Sequence, residues 1–222
     1  MRIIDLSMPF IADHVRWKGE QSAAKRPTGD EVIQVTTIKI SCHSFTHVDA
    51  KRHYFPGEPT IEQTPLDAVV GDAAVVDLSD VGPNEAIEPK NLEVRGGHVN
   101  AGDRVILKTA WHRQRSFETE AFWREAPYLT RDAALWLLDK GIRTIAYDFP
   151  QDFAIRLLLD GANPPVEEQV THDILLRNGV HMIEYLTNTA ELSLDRVFLS
   201  AAPLKVPGSD GAPARVYAIE GL

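Results

Sequence analysis

LTRDAALWLLDKGIRTIAYD, residues 129–148, and VTHDILLRNGVHMIEYL, residues 170–186, carry one pattern twice. Each opens on a threonine able to cap a helix, Thr130 or Thr171, and continues with apolar residues at helical spacing up to a glycine. Each then passes into a short apolar run of strand character, residues 143–147 or 180–183. For the second, a start nearer Glu167 is an alternative. Helices that return directly to strands place helices and a sheet in adjacent layers, so the chain reads as α/β. Residues 2–7, 32–41, 73–78, 104–109, 197–200 and 215–219 are further strand candidates, several bounded by Gly or Asp. No low-complexity linker or repeat divides the 222 residues, and a single domain over 1–222 is the simplest organisation.

Composition narrows the class. With 44% hydrophobic and 25% charged residues, the chain has the make-up of a globular protein, neither disordered nor fibrous. A formal charge of −9 leaves no basic surplus to neutralise phosphates, and the densest basic spot, Arg113 and Arg115 in WHRQRS, is short. Nucleic acid is not an expected partner. No apolar run approaches the ~18 residues of a membrane span, and MRIIDLSMPF has no basic flank followed by a long apolar stretch. The expectation is a cytoplasmic protein without membrane contact. A single cysteine, Cys42, allows no internal disulfide and suits a reducing compartment.

Between the strand candidates 32–41 and 73–78, residues 43–55, HSFTHVDAKRHYF, concentrate the chemistry. His43, His47, Asp49 and His53 all fall on odd numbers and share one face of an extended strand, with Cys42 on the other. Extension alone fails, because four residues at about 3.3 Å part His43 from His47 by roughly 13 Å, near the limit at which two imidazoles grip one ion. The chain must bend at Ser44-Phe45-Thr46. A bend there brings both rings and the Asp49 carboxylate around one point, the outline of a site for zinc, manganese or iron. A lone histidine is more often structural than a ligand, but packing does not explain three of them with an aspartate in eleven residues.

The spacing H-x3-H-x-D-x3-H, followed by the aromatic Tyr54, resembles the signature of the metal-dependent cyclase family, which includes bacterial kynurenine formamidase and isatin hydrolase. IIDLSMPF with the later Trp17, THDILLRNGVHMIEYLTN and LSAAPLKVPGSDGAPARVYAI are similar to its N-terminal, second metal-binding and C-terminal segments. The resemblance implies a single-domain α/β fold of swivelling β/β/α barrel-like type, assembled as a homodimer or homotetramer. It implies that His43, His47 and Asp49 ligate a first metal, that Asp49 bridges to a second completed by His172 and Glu184, and that His53 is the catalytic acid/base. The cofactor implied is one or two Zn2+ ions, with Mn2+ as the alternative. The activity implied is hydrolysis of a small amide, formamide or lactam, arylformamidase-like, with isatin or lactone hydrolysis as alternatives. Metals lower the pKa of bound water toward neutrality, supply hydroxide and polarise a carbonyl, while a histidine of pKa about 6.5 can take a proton and return it to a leaving nitrogen.

Three departures bear on the substrate. Phe45 stands where the family commonly has Gly, so a positive φ there carries about 1–2 kcal/mol of strain. Lys51 and Arg52 replace apolar residues; a locally extended chain aims Lys51, with Asp49 and His53, into the pocket as a recruiter of carboxylate-bearing substrates, the alternative being a solvated lysine that balances nearby acidic ligands. Trp17-Lys18-Gly19-Glu20 replaces the usual W-P-G-D, and Trp17 is a candidate to stack on an aromatic small-molecule substrate. Two other classes stay open. A thiol hydrolase built on Cys42 beside His43 is disfavoured because adjacent residues of an extended segment point apart, and no G-x-S-x-G supplies a serine. A non-catalytic metal-binding module could carry the same ligands behind a closed pocket.

Overall fold

The computed structural model describes residues 1–222. In chain order the strands are β1 Arg2–Asp5, β2 Glu20–Thr28, β3 Glu31–Lys39, β4 His47–Asp49, β5 Val70–Asp77, β6 Ala86–Ile87, β7 Arg104–Lys108, β8 Tyr128–Leu129, β9 Thr144–Tyr147, β10 His181–Glu184, β11 Arg196–Ser200, β12 Gly211–Pro213 and β13 Tyr217–Glu220. Nine of them form one mixed sheet in the order β1-β13-β11-β5-β7-β9-β10-β4-β12. The middle four, β5, β7, β9 and β10, are parallel, and the flanking strands pair antiparallel. The sheet curls into a half-barrel, so that Ser7, just past β1, bridges Leu186, just past β10.

The curl follows from which side chains face inward. The concave face collects small residues, Ala73, Ala146, Ala212 and Ala218, among Ile4, Val48, Ile106, Ile183 and Leu199. The convex face takes the bulk, with Trp111, Phe122, Trp123, Leu137, Tyr147 and Leu175 packed between sheet and helices. Both faces of the central strands are therefore dry, which is why Val105-Ile106-Leu107 reads as a continuous apolar run rather than an alternating one. At roughly 25 cal/mol per Å2, each such side chain contributes about 1.5–3 kcal/mol to folding.

The first helix–strand pair matches its sequence reading. Thr130 Oγ1 accepts the Ala133 N–H at 3.2 Å, the helix Arg131–Asp139 buries Ala133, Ala134 and Leu137, and Gly141 at φ 70° turns the chain toward β9. The second pair departs from it. Thr171 caps no helix; its N–H and hydroxyl both donate to Asp152, at 2.7 and 2.9 Å. With Thr171 held there, residues His172–Leu176 wind as a π-helix, and Arg177 N–H donates to the His172 carbonyl five residues back at 3.1 Å. The alternative start near Glu167 is a separate 3-10 turn, Val166–Glu168. All eight strand candidates contain a strand, but β2 went unread: it is exposed throughout, pairing β3 in a hairpin that stands off the main sheet.

β4 is entered through the expected bend. Ser44 N–H donates to the Ser41 carbonyl at 3.1 Å and Phe45 takes φ 59°, the left-handed conformation anticipated at that position. Phe45 holds it because its ring is buried, 4.9 Å from Trp17, 5.2 Å from His14 and 5.7 Å from Phe10. Strain and packing can be separated by two truncations. Phe45→Ala and Phe45→Gly should both lose much of the ~3–5 kcal/mol of a buried phenylalanine. Gly should nevertheless be the more stable of the two by about 1 kcal/mol in urea unfolding with chelator present, inverting the ordinary order. An alanine variant as stable as the glycine variant would show that the turn stores no strain.

Candidate metal centre

The bend folds the His43 ring back over β4, where its Nδ1 lies 2.8 Å from Asp49 Oδ1. Gly211, opposite Asp49 in β12, leaves the room, since a Cβ there would stand 2.7 Å from His43 Cε1. In β4 itself His47 and Asp49 face away from Val48, which points into the concave core. The 3-10 turn Lys51–His53 then returns His53 to the cluster, its ring stacked on His43 at 3.7 Å. Glu184 arrives by register, directly across the β4–β10 ladder from His47, and His172 comes from the π-helix.

His47 and His172 converge as a pair. His47 Nδ1 lies 2.8 Å from the Phe45 carbonyl and must donate to it, which leaves Nε2 with a free lone pair. That Nε2 is 3.2 Å from Asp49 Oδ1 and 3.7 Å from Glu184 Oε2. His172 Nε2 is 3.5 Å from Asp49 Oδ2 and 3.5 Å from Glu184 Oε1. These are close to the edges of a tetrahedron, about 3.3 Å, drawn around an ion bonded at about 2.0–2.1 Å. His47 Nε2 and Asp49 Oδ2 are buried without a hydrogen-bond partner. Buried polar atoms rarely go unpaired, and an aligned set of imidazole and carboxylate lone pairs is what a divalent cation takes. His43, Asp49 and His53 form a second group of ligand atoms within 4.8 Å of one another. The six residues thus come together around Asp49, with His43 and His47 beside its Oδ1 and His172, which also neighbours Glu184, beside its Oδ2.

Three flanking residues had no signal in the sequence reading. Asp152 Oδ2 lies 2.7 Å from His172 Nδ1, and Gln151 Nε2 donates to Glu184. Asp210 Oδ2 sits 3.1 Å from His43 Nε2 and 3.6 Å from His53 Nδ1. Gln151 and Asp152 lie four and five residues past the end of a parallel strand, β9, where ligand sites gather in α/β sheets, and that position was the available clue. Asp210 neighbours Gly211 in the C-terminal segment, with no spacing to mark it.

The charges set the protonation. Burial opposes charge on His43, yet Asp49 and Asp210 outweigh it and raise the ring to about 9. Burial also opposes charge on His172, where Asp152, Asp49 and Glu184 prevail and raise it to about 10. His53 goes the other way: burial, reinforced by His43 and His172, outweighs the pull of Asp49 and Asp210 and lowers it to about 4. Burial works against the Asp49 carboxylate too, but His53, His43 and His172 hold it well below the usual range. At neutral pH His53 is therefore an uncharged imidazole.

The cavity outside this cluster measures about 180 Å3, and its walls include Arg16, Trp17, Tyr54, Leu158 and Tyr185 beside the histidines and Glu184. Trp17 lines it and also packs 4.9 Å from Trp123. Lys51 does not line it. Because residues Lys51–His53 are helical and not extended, Lys51 turns to a different cavity beside Thr60 and Leu176 and pairs with Glu58 at 3.2 Å.

The family model described as "Putative cyclase" matches residues 4–151. Kynurenine formamidase of Bacillus cereus is 30% identical over 220 residues, covering 96% of this chain and 94% of the relative. Among solved structures, one described as a potential metal-dependent hydrolase with cyclase activity is 28% identical, covers 99% of both chains and superposes with a TM-score of 0.73. Isatin hydrolase A of Labrenzia aggregata, 22% identical over 98% of this chain and 93% of its own, has the same fold at a TM-score of 0.78.

Asp152 orients His172 and fixes which ring nitrogen is free. Asp152→Asn keeps the volume but weakens the contact to Nδ1–H, and the affinity for Zn2+, measured by competition with a chelating dye, should fall about 10- to 100-fold. Wild-type affinity in the variant would mean that Asp152 serves only the backbone turn at Thr171.

Proposed function

The chain belongs to the cyclase family, and on that premise we propose that it hydrolyses the carbon–nitrogen bond of a small formamide, amide or lactam with one or two divalent metal ions held by His43, His47, Asp49, His172 and Glu184. The observation that carries this reading is the convergence of the Nε2 atoms of His47 and His172 on Asp49 and Glu184, at the edge of a cavity with aromatic walls. When bound, an ion of this class acidifies water and polarises a carbonyl. Zinc is our first assignment, because the ligand-atom separations suit tetrahedral bonding to nitrogen and oxygen, and manganese is the second.

The chain's own residues do the rest. His53 is the proton carrier: it is 26% exposed, uncharged at neutral pH, and borders the cavity. It accepts a proton from water and delivers it to the departing nitrogen. Stacking on His43 fixes its plane, and Asp210, 3.6 Å from Nδ1, compensates the charge it gains on accepting that proton. Trp17, Tyr54 and Tyr185 exclude water and align a flat substrate. A cavity of about 150 Å3 accepts benzene, so the ~180 Å3 here suits one benzenoid ring. We also assign a homodimeric or homotetrameric state, which the exposed Val32, Ile33, Val35 and Ile38 of the β2–β3 hairpin support, and a cytoplasmic location. No helix is long and apolar enough to cross a membrane.

The direct test is a screen of metal-loaded protein against formylkynurenine, isatin and simple lactones beside a chelated control; no metal-dependent turnover of any would sink the hydrolase reading. His47→Ala and Glu184→Ala should each lower bound metal by elemental analysis and abolish activity, and full metal content in both would mean the ligands are misassigned. His53→Ala should retain most of the metal and lose about 100- to 10,000-fold in kcat, the span of general acid–base catalysis. Parallel loss of metal and activity would instead make His53 a ligand.

A further inference from the structure

We propose that Arg16 is the anion-recognition residue of this cavity and that the substrate carries a carboxylate on or beside its aromatic ring, an inference that rests on the hydrolase reading above. Arg16 borders the same cavity as the metal ligands and His53. Its guanidinium carbon lies 4.7 Å from the Trp123 ring, 5.1 Å from Trp17 and 5.4 Å from Tyr185. One nitrogen, Nη1, donates to the Tyr185 hydroxyl at 3.2 Å. Arg16 makes no ion pair, whereas Arg115 and Arg124 reach Glu125 and Asp160 at 2.6 and 2.8 Å. Aromatic faces hold its charge without spending its edges, and a guanidinium offers five donors along those edges. Donors left over in a half-buried pocket are matched by a planar anion that accepts two at once, which a carboxylate does.

The rest of the cavity explains why such a residue is needed. Asp49, Asp152, Glu184 and Asp210 offset the charge of the metal they surround, so the ligand end offers an anionic group no net positive charge and a cation elsewhere must hold it. Tyr185 spans the interval, with its hydroxyl at Arg16 and its ring 5.8 Å from the His47 ring. A benzenoid substrate laid along it puts its carboxylate at Arg16 and its scissile carbonyl at the ligand end. Lys51 cannot serve, being paired with Glu58 and turned to another cavity.

The test uses Zn2+-loaded wild type, Arg16→Gln and Arg16→Lys. Binding of benzoate and of benzyl alcohol is read by quenching of tryptophan fluorescence, and kcat/KM is measured for N-formylanthranilate and formanilide. In Arg16→Gln the benzoate Kd should rise about 10- to 100-fold and benzyl alcohol should respond far less, with Arg16→Lys in between because it keeps the charge and loses the fork. The preference for N-formylanthranilate over formanilide should shrink by a similar factor. Equal weakening of benzoate and benzyl alcohol, or a wild type that binds benzoate no better than benzyl alcohol, overturns the assignment. If neither formyl compound is hydrolysed while benzoate selectivity and its loss in Arg16→Gln persist, the carboxylate site stands and the hydrolase reading falls.

Discussion

A carboxylate with no access to water, Asp49, is the constraint around which the rest of the site is arranged. Removing an ion from water costs several kcal/mol, and the cost is met only by close, well-aligned partners of opposite charge. Glu184 and Asp152, also buried, enlarge the deficit. In the metal-free protein the compensation comes from protons on His43 and His172, which sit well above the ordinary histidine range for that reason. A divalent cation supplies the same compensation and needs those nitrogens unprotonated, so proton and metal compete for one set of atoms. The hydrogen bonds behind the ligands, from His47 Nδ1–H to the Phe45 carbonyl and from His172 Nδ1–H to Asp152, remain in place whichever occupies the site.

Irregular backbone is what makes the convergence possible. A straight strand would hold His43 and His47 roughly 13 Å apart, and the left-handed Phe45 removes that separation. A regular helix through residues 171–177 would use the Thr171 hydroxyl as a cap; the π-helix leaves it bonded to Asp152, beside the carboxylate oxygen that orients His172. Both departures fall on ligand-bearing segments and nowhere near the middle of the sheet, as expected where stored strain serves a site and close-packed neighbours hold it.

Much of the fold was legible because burial on both sheet faces writes unbroken apolar runs into β5, β7, β9 and β10. β2 was not, since a hairpin strand exposed on both sides carries no alternation, and β4 and β12 are three residues each, below the length at which a period can be read. In the site, His43, His47, Asp49 and His53 declared themselves by proximity in sequence. His172 and Glu184 were visible only through family likeness, because a helix face and a strand end say nothing alone about a shared point in space. Lys51 was misplaced by assuming extension through a segment that coils. Arg16, Gln151, Asp152 and Asp210 are single polar residues whose meaning depends on what the fold sets opposite them.

The sheet topology supplies that opposition. Parallel strands in α/β sheets leave their functional loops at the carboxyl ends, and Gln151, Asp152 and Glu184 lie at or just past the ends of β9 and β10. β4 runs antiparallel to β10, so its first residue, His47, pairs with the last residue of β10, Glu184. The bend and His43 necessarily precede that first residue and land at the same edge. A β4 running parallel to β10 would carry the bend to the other end of the sheet, away from Asp152 and the π-helix. One antiparallel pairing thus joins a ligand motif that is local in sequence to ligands more than a hundred residues away, and gives the buried carboxylate at its centre the company it requires.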